Sequence, residues 1–559
     1  AQAPAQAQAP AQAQAPAQAQ APAQAQAPAQ TQAPTQAQAP AQTQAPALDA
    51  LRRGNGETPQ TLDPARATRR AEYHILYDLL EGLISFDAKG ALIPGAAASW
   101  QWSEDGLTWS FRLRPGLQWS NGAPLTASDF VFSFRRVLDR QWPSPNATLL
   151  LSLRHADEVL AGTRAPEELG IAAVDPQTLI LHLERPDPTL LHRLAHPVAL
   201  PVPEAVFRAE GDSWQQPGKW VGNGAYVLAE GGAGSVATLT RNPRYHSADS
   251  VAIAQIRYIP TPERNREYKA YLNGELDVTF EIPGDKLKAI IASQGEAFWN
   301  KPILATYYYV FNLKRPPFAE APLALRQALS LALDRDALAQ GVLAGIGDPA
   351  WSLIPPAMPG YTPATLPHDA PIQTRREEAQ KIFAAIGYRN NRPLTLELLY
   401  PRSASQQQLA EAIAEQWRET FGRQAIVISA IGQDWRTFQQ TRSRGDFQMI
   451  RGVWVADRDD PTDFFDLFRP QPLSPNVGRY ESTDFEALVG KAGYTLNPKK
   501  RPGILHDAEQ QLLNDLPVLP LFHYRTRYLV SPKVKGWNAS PNDYHLSRWL
   551  SLSETAAPP

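Results

Sequence analysis

The chain has 559 residues, and 54 Lys plus Arg against 56 Asp plus Glu leave no basic excess to neutralise a phosphate backbone or grip an anionic membrane. That length is more than one hydrophobic core supports and predicts two or three lobes. The absence of Cys excludes disulfides, thiolate metal sites, a cysteine nucleophile and a lipidated cysteine, and no apolar run reaches the roughly 18 residues of a membrane span. Ala1 is what stands first once a signal peptide is removed. The expectation is a soluble chain, not lipid-anchored, held in a Gram-negative periplasm and not bound to nucleic acid.

Residues 1–47 contain only Ala, Gln, Pro and Thr in a six-residue repeat, AQAPAQ. With no large apolar side chain to bury, this segment is predicted to be a disordered, partly extended tail, and the fold to begin at Leu48. Leu107, Trp109, Phe111 and Leu113 alternate with polar residues, the period of a half-buried strand. Thr126 and Asp129 have capping-box spacing, and Phe130, Val131, Phe134, Val137 and Leu138 recur behind them on one helical face.

Further on, Pro322 fits a first helical turn, with Leu325, Leu329, Ala332 and Leu333 as an apolar stripe that Gly345 and Gly347 end. Leu409, Ile413, Trp417 and Phe421 repeat the device, with Gly422 as the C-terminal cap. A strand over 425–430, a helix capped by Asp434 and a mostly apolar strand over 447–455 follow, the last suited to a sheet buried on both faces. The pattern is α/β, and the 52 Pro, most of them beyond the repeats, predict long ordered loops around the sheets.

Catalytic signatures are missing. HExxH, GxSxG and GxxxxGK[ST] do not occur, and Gly54/Gly56, Gly222/Gly224 and Gly345/Gly347 never complete GxGxxG. His192 and His196 stand four apart, but Pro197 follows at once, and structural or surface roles are favoured over a metal site. Asp457, Asp459 and Asp460 lack the glycine and distal glutamate of an EF-hand. No cofactor is expected. A peptide hydrolase using Asp457 and Glu281 as acid and base finds no supporting motif, so the expectation is a binder, not an enzyme.

From Arg52 the chain resembles the oligopeptide-binding proteins of ABC importers, extracellular solute-binding family 5. The likeness runs through PGAAASWQWSEDGLTWSFRLRPGLQWSNGAPLTASDFVFSFRRVLD (94–139), GNGAY (222–226), RNPRYH (241–246), TYYYVFN (306–312), ALDRDAL (332–338) and RGVWVADRDDPTDFF (451–465), covering about residues 50–550. It implies a two-lobed periplasmic binding protein, class II-like and of cluster C, with an extra small domain. Lobe I would be 48–80, 204–304 and 525–559, the small domain 81–203 and lobe II 305–524, with crossings near Leu304 and Tyr524.

The resemblance also implies a site. A peptide would lie as an added strand against Thr68, Arg69 and Arg70 on one side and Gly452, Val453, Trp454 and Val455 on the other. Asp457 would face its α-ammonium, Trp435 and Tyr524 would line the pocket, and Arg442 and Arg451 would be available to ligand carboxylates. Two family cysteines fall at Ala305 and Val455, so both are replaced together, as in murein-peptide-binding relatives. Gln406, Leu343, Phe280 and Glu281 replace polar or charged pocket positions. A specialised murein tripeptide binder is therefore the alternative to broad oligopeptide capture. The expected partners are short peptides and an inner-membrane ABC permease, met by a monomer with only peripheral membrane contact.

Overall fold

The computed structural model describes residues 50–320, 322–342, 347–470 and 476–553; the 1–47 repeat, Leu48, Leu343 and Gly345 lie outside the described residues. The strand Ala50–Gly54 pairs in parallel with Gln255–Ile259, and antiparallel neighbours Ala237–Arg241 and Tyr226–Gly231 complete a four-stranded sheet. A second four-stranded sheet orders Ala97–Trp102, Thr108–Leu113, Thr178–His182 and Ile171–Asp175. Its strand Thr108–Leu113 buries Trp109, Phe111 and Leu113, as their alternation requires. Behind it, the Thr126 amide donates to Asp129 Oδ2 at 2.8 Å and opens the helix Ala127–Leu138. The interior is continuous between the two sheets: Phe111 and Phe134 share one core with Leu51, Ile256 and, from the far end of the chain, Tyr528.

The other body is built on a six-stranded sheet in the order Gly347–Pro349, Val518–Arg525, Pro302–Phe311, Met449–Val455, Leu394–Pro401, Ile426–Gln433. Both faces are covered, which explains the near-continuous apolar strands. Tyr307, Tyr309 and Phe311 meet side chains of the helices Pro322–Leu331, Ile372–Ala385 and Ala404–Phe421; Tyr308 and Val310 meet those of Trp435–Arg444, Thr483–Tyr494 and Arg501–Asp515. Gly422, at φ +90°, ends Ala404–Phe421 as expected. Asp434 Oδ1 accepts the Thr437 amide at 3.0 Å and starts the next helix.

The helix from Pro322 departs from expectation. It stops at Leu331 because Asp334 accepts the Ala337 amide at 2.9 Å and caps a separate turn, Arg335–Ala337. Gly347 then begins a strand where a helix-ending role was expected.

The two segments joining these bodies run side by side. Within the six-stranded sheet Pro302 pairs with Arg525, next to an irregularity between Pro302 and Thr306. Thr526 donates its amide to Lys301 O, and Lys301 donates its own to Thr526 Oγ1, both at 2.8 Å. Beyond them Phe298–Trp299 pairs antiparallel with Tyr528–Leu529. The segments 298–302 and 525–529, next to Leu304 and Tyr524, are thus bonded to each other.

Candidate functional site

The strand Met449–Val455 is the centre of the expected site, and its two edges differ. Along one edge it pairs with Pro302–Phe311 from Ala305↔Val455 to Phe311↔Met449. Along the other the ladder to Leu394–Pro401 holds only Leu398↔Met449 and Leu399↔Ile450. Ala456 donates its amide to Leu304 O and Asn312 donates to Gln448 O, which fixes the alternation. The main-chain groups of Gly452 and Trp454 therefore face Pro302–Phe311, while those of Met449, Arg451, Val453 and Val455 face the Leu394–Pro401 side, where the ladder ends at Ile450 and leaves Val453 and Val455 without a partner strand. Of the four residues expected to take an added strand, Val453 and Val455 carry that edge. Gly452 has another duty: a Cβ there would overlap the Tyr308 ring.

The run after this strand holds five aspartates, and four are engaged within the protein. Asp459 lies 3.4 Å from His192 Nε2, contributed by the other body. Asp460 accepts both Arg501 Nη atoms, at 2.5 and 3.0 Å. Asp463 accepts Trp454 Nε1 at 2.8 Å, the Asp457 amide at 3.0 Å and Arg458 Nε at 2.8 Å. Asp466 accepts Arg458 Nη2 at 3.1 Å. Asp457 alone has no hydrogen-bond or ion-pair partner for its carboxylate among the described residues, and it is exposed.

Its exposure does not make it water-like. Protein crowds the carboxyl from behind, and this loss of solvation, followed by the negative charge of Asp463, pushes it up to about 7 against the opposing pull of Arg458. On the other body the buried hydroxyls of Tyr73 and Tyr544 are raised first by burial and next by the charge of Asp457; Tyr77 feels the same charge more weakly. Asp457 on one body therefore looks onto three tyrosines of the other.

The remaining expected residues divide. Arg451 lies 5.3 Å from the Tyr307 ring centroid and beside Tyr524, whose hydroxyl burial raises and Arg451 lowers. Arg442 and Arg451 each have a buried Nε without a partner, and neither forms an ion pair among the described residues. Trp435, 60% exposed, opens the helix that follows the strand Ile426–Gln433 and stacks on Phe438. This places it beyond the carboxyl ends of two parallel strands, where ligands of α/β sheets gather.

Thr68, Arg69 and Arg70 differ from expectation. The Thr68 and Arg69 amides already donate to Glu72 Oε2, at 2.9 and 3.1 Å, so neither is available to an added strand. The Arg69 and Arg70 side chains turn to Glu57 and Asp543. Glu72, four residues past Thr68 and buried, is the competitor that the sequence reading missed.

Among the replaced positions, Ala305 and Val455 stand directly opposite each other in adjacent strands, a separation a disulfide could bridge. Gln406 accepts the Tyr307 hydroxyl at 2.7 Å. Glu281 is held between Arg264 and Arg527 near the crossing segments, which removes it as an acid–base partner for Asp457. His196 accepts the Val198 amide at 3.1 Å, and burial lowers it to about 3. Cavities of about 870 and 680 Å³ lie elsewhere, one lined by Phe132, Trp142 and Phe207 and the other by Trp351 and Leu366; neither touches Asp457.

Comparison with known proteins gives a consistent answer. Residues 91–473 match the bacterial extracellular solute-binding proteins, family 5, middle region. The chain is 31% identical over 500 residues to the periplasmic murein peptide-binding protein MppA of Escherichia coli, covering 89% of this chain and 92% of that one. It is 34% identical over 490 residues to the periplasmic oligopeptide-binding protein OppA of the same organism, covering 87% and 89%. Among solved structures, the murein tripeptide-binding protein MppA in its unliganded open form superposes with a TM-score of 0.80 at 30% identity, covering 90% and 97%. The Haemophilus influenzae OppA complex with the nonapeptide RPPGFSPFR gives 0.71 at 30%, covering 90% and 99%. The better fit is thus to an unliganded open form.

Proposed function

The chain belongs to the bacterial extracellular solute-binding proteins of family 5, and from that premise we propose that it captures short peptides between its two bodies and delivers them to an ABC importer. The peptide's α-ammonium meets Asp457, its backbone extends the sheet along the free edge of Val453 and Val455, and Trp454, Trp435 and Tyr524 enclose its side chains. The single observation that supports this most is the Asp457 carboxylate, without a partner among the described residues in a run whose other four aspartates are engaged. An exposed anion in a cleft raised toward neutrality gains most from a cation that binds there.

Lobe I, on this reading, is 48–80, 204–304 and 525–559, with 81–203 attached to it and 305–524 as lobe II. Closure is rotation about 300–302 and 525–527, driven because only a peptide touching both lobes binds the closed form better. The protein works as a periplasmic monomer. A second reading has one observation in its favour: among the described residues neither Arg442 nor Arg451 has a carboxylate partner, which suits a cell-wall peptide bearing more than one carboxylate. Mass spectrometry of material released by denaturing the protein, with calorimetry on trialanine, tests both. Recovery of peptides and binding of trialanine are expected; recovery of a non-peptide solute, with no binding of trialanine or of a murein tripeptide, overturns the reading.

A further inference from the structure

Asp463 had no assigned role in the sequence, yet one carboxylate here orders three neighbours. Its Oδ2 accepts the Trp454 indole and the Asp457 amide, and its Oδ1 accepts Arg458 Nε. Asp463 is 4% exposed and sits in the short helix Thr462–Phe465. That helix is itself anchored, since Asp460 accepts the Thr462 amide and hydroxyl while bound by Arg501. The ring plane of Trp454 and the main chain that projects Asp457 are thus tied to the same buried anion.

We propose that Asp463 is the positioning and specificity-determining residue of the ammonium subsite: it aims Trp454 and Asp457 toward the ligand and, by setting a second negative charge beside a carboxyl already crowded by protein, strengthens the release of a proton on uptake of a cationic amino terminus. The proposal rests on the reading of Asp457 given above. The balance is simple. A protonated Asp457 carboxyl gives its proton to water as the ligand's ammonium, which keeps its own three hydrogens, takes the proton's place beside the oxygen.

The other groups facing Asp457 do not substitute for Asp463. On its own segment Arg458 opposes the effect, and its charge is shared with Asp466. Asp459 is paired with His192 of the helix Leu190–Ala195, and Arg193 and His196 at that helix lie toward Arg458. Tyr73 and Tyr77 of the helix Arg70–Leu79, and Tyr544, bring neutral hydroxyls.

The test is calorimetry of trialanine between pH 5 and 7.5, in buffers of different ionisation enthalpy so that released protons are counted. Wild type should release a fraction of a proton at pH 6.5, and its affinity should fall about tenfold for each pH unit below the midpoint. Asp463→Asn keeps an oxygen acceptor for Trp454 and the Asp457 amide but loses the charge; its midpoint should drop, and proton release at pH 6.5 should fall below the wild-type value. Asp463→Leu loses the acceptor too and should bind worse than Asp463→Asn at every pH. An Asp463→Asn profile superimposable on wild type overturns the proposal, and so does wild type binding trialanine at pH 6.5 without proton release, a measurement independent of any variant. Failure of the underlying reading is separate: it would appear as Asp457→Asn binding trialanine with wild-type affinity.

Discussion

Removing the Asp457 carboxylate should cost the ligand its amino-terminal partner and nothing else. Truncating one member of a charge pair in a closed site costs about 2 to 5 kcal/mol. Because Asp457 remains open to water when the cleft is empty, solvent screening places the effect at the lower end, about 2 to 3 kcal/mol, a loss of roughly 30- to 150-fold in affinity. Blocking the ligand's ammonium by N-acetylation removes the other member of the pair. Calorimetry on wild type and Asp457→Ala, each with trialanine and N-acetyl-trialanine, therefore completes a double-mutant cycle. Each single change should weaken binding by that factor, and the two together by little more than either alone. Two full, multiplying losses would refute the contact, because Asp457 would then act somewhere other than at the amino terminus.

Gly452→Ala drives a Cβ into the ring of Tyr308, which is 2% exposed; overpacking of this kind costs about 1 to 3 kcal/mol. Denaturant unfolding should show that loss, and trialanine affinity should fall as the free edge at Val453 shifts; wild-type values in both would refute the packing role. Acid should destabilise the fold through Asp543 and Asp460. Burial alone would raise both carboxyls, but Arg70 with His545 and Tyr528 holds Asp543 below the ordinary range, and Arg501 does the same for Asp460. An unfolded Asp titrates near 3.9, so between the two values the unfolded chain binds more protons. The stability these pairs contribute is present above about pH 4 and drains away as pH falls below it. Melting temperatures from pH 6 to pH 2 should drop steeply in the lower half of that range, and a flat profile would refute the assignment.

Near-neighbour physics was legible in the chain. Alternation at Trp109, Phe111 and Leu113, the Thr126–Asp129 capping box, the Asp434 cap and the Gly422 terminator each involve residues a few positions apart, and each produced the element expected of it. The resemblance in 451–465 likewise pointed to the loop that holds Asp457. Sequence failed where a local competitor intervened, as when Asp334 capped a new turn before Gly347 was reached and Glu72 took the amides of Thr68 and Arg69. What tertiary structure alone decided is which aspartate is free. Asp459, Asp460 and Asp463 look alike beside Asp457 in the sequence; only folding brings His192 to the first and Arg501 to the second and turns Trp454 and Arg458 onto the third, leaving Asp457 facing the tyrosines of the other body. The edge that Val453 and Val455 present was equally hidden, because it depends on where the ladder to Leu394–Pro401 ends, and a strand's own residues do not record how far its neighbour reaches.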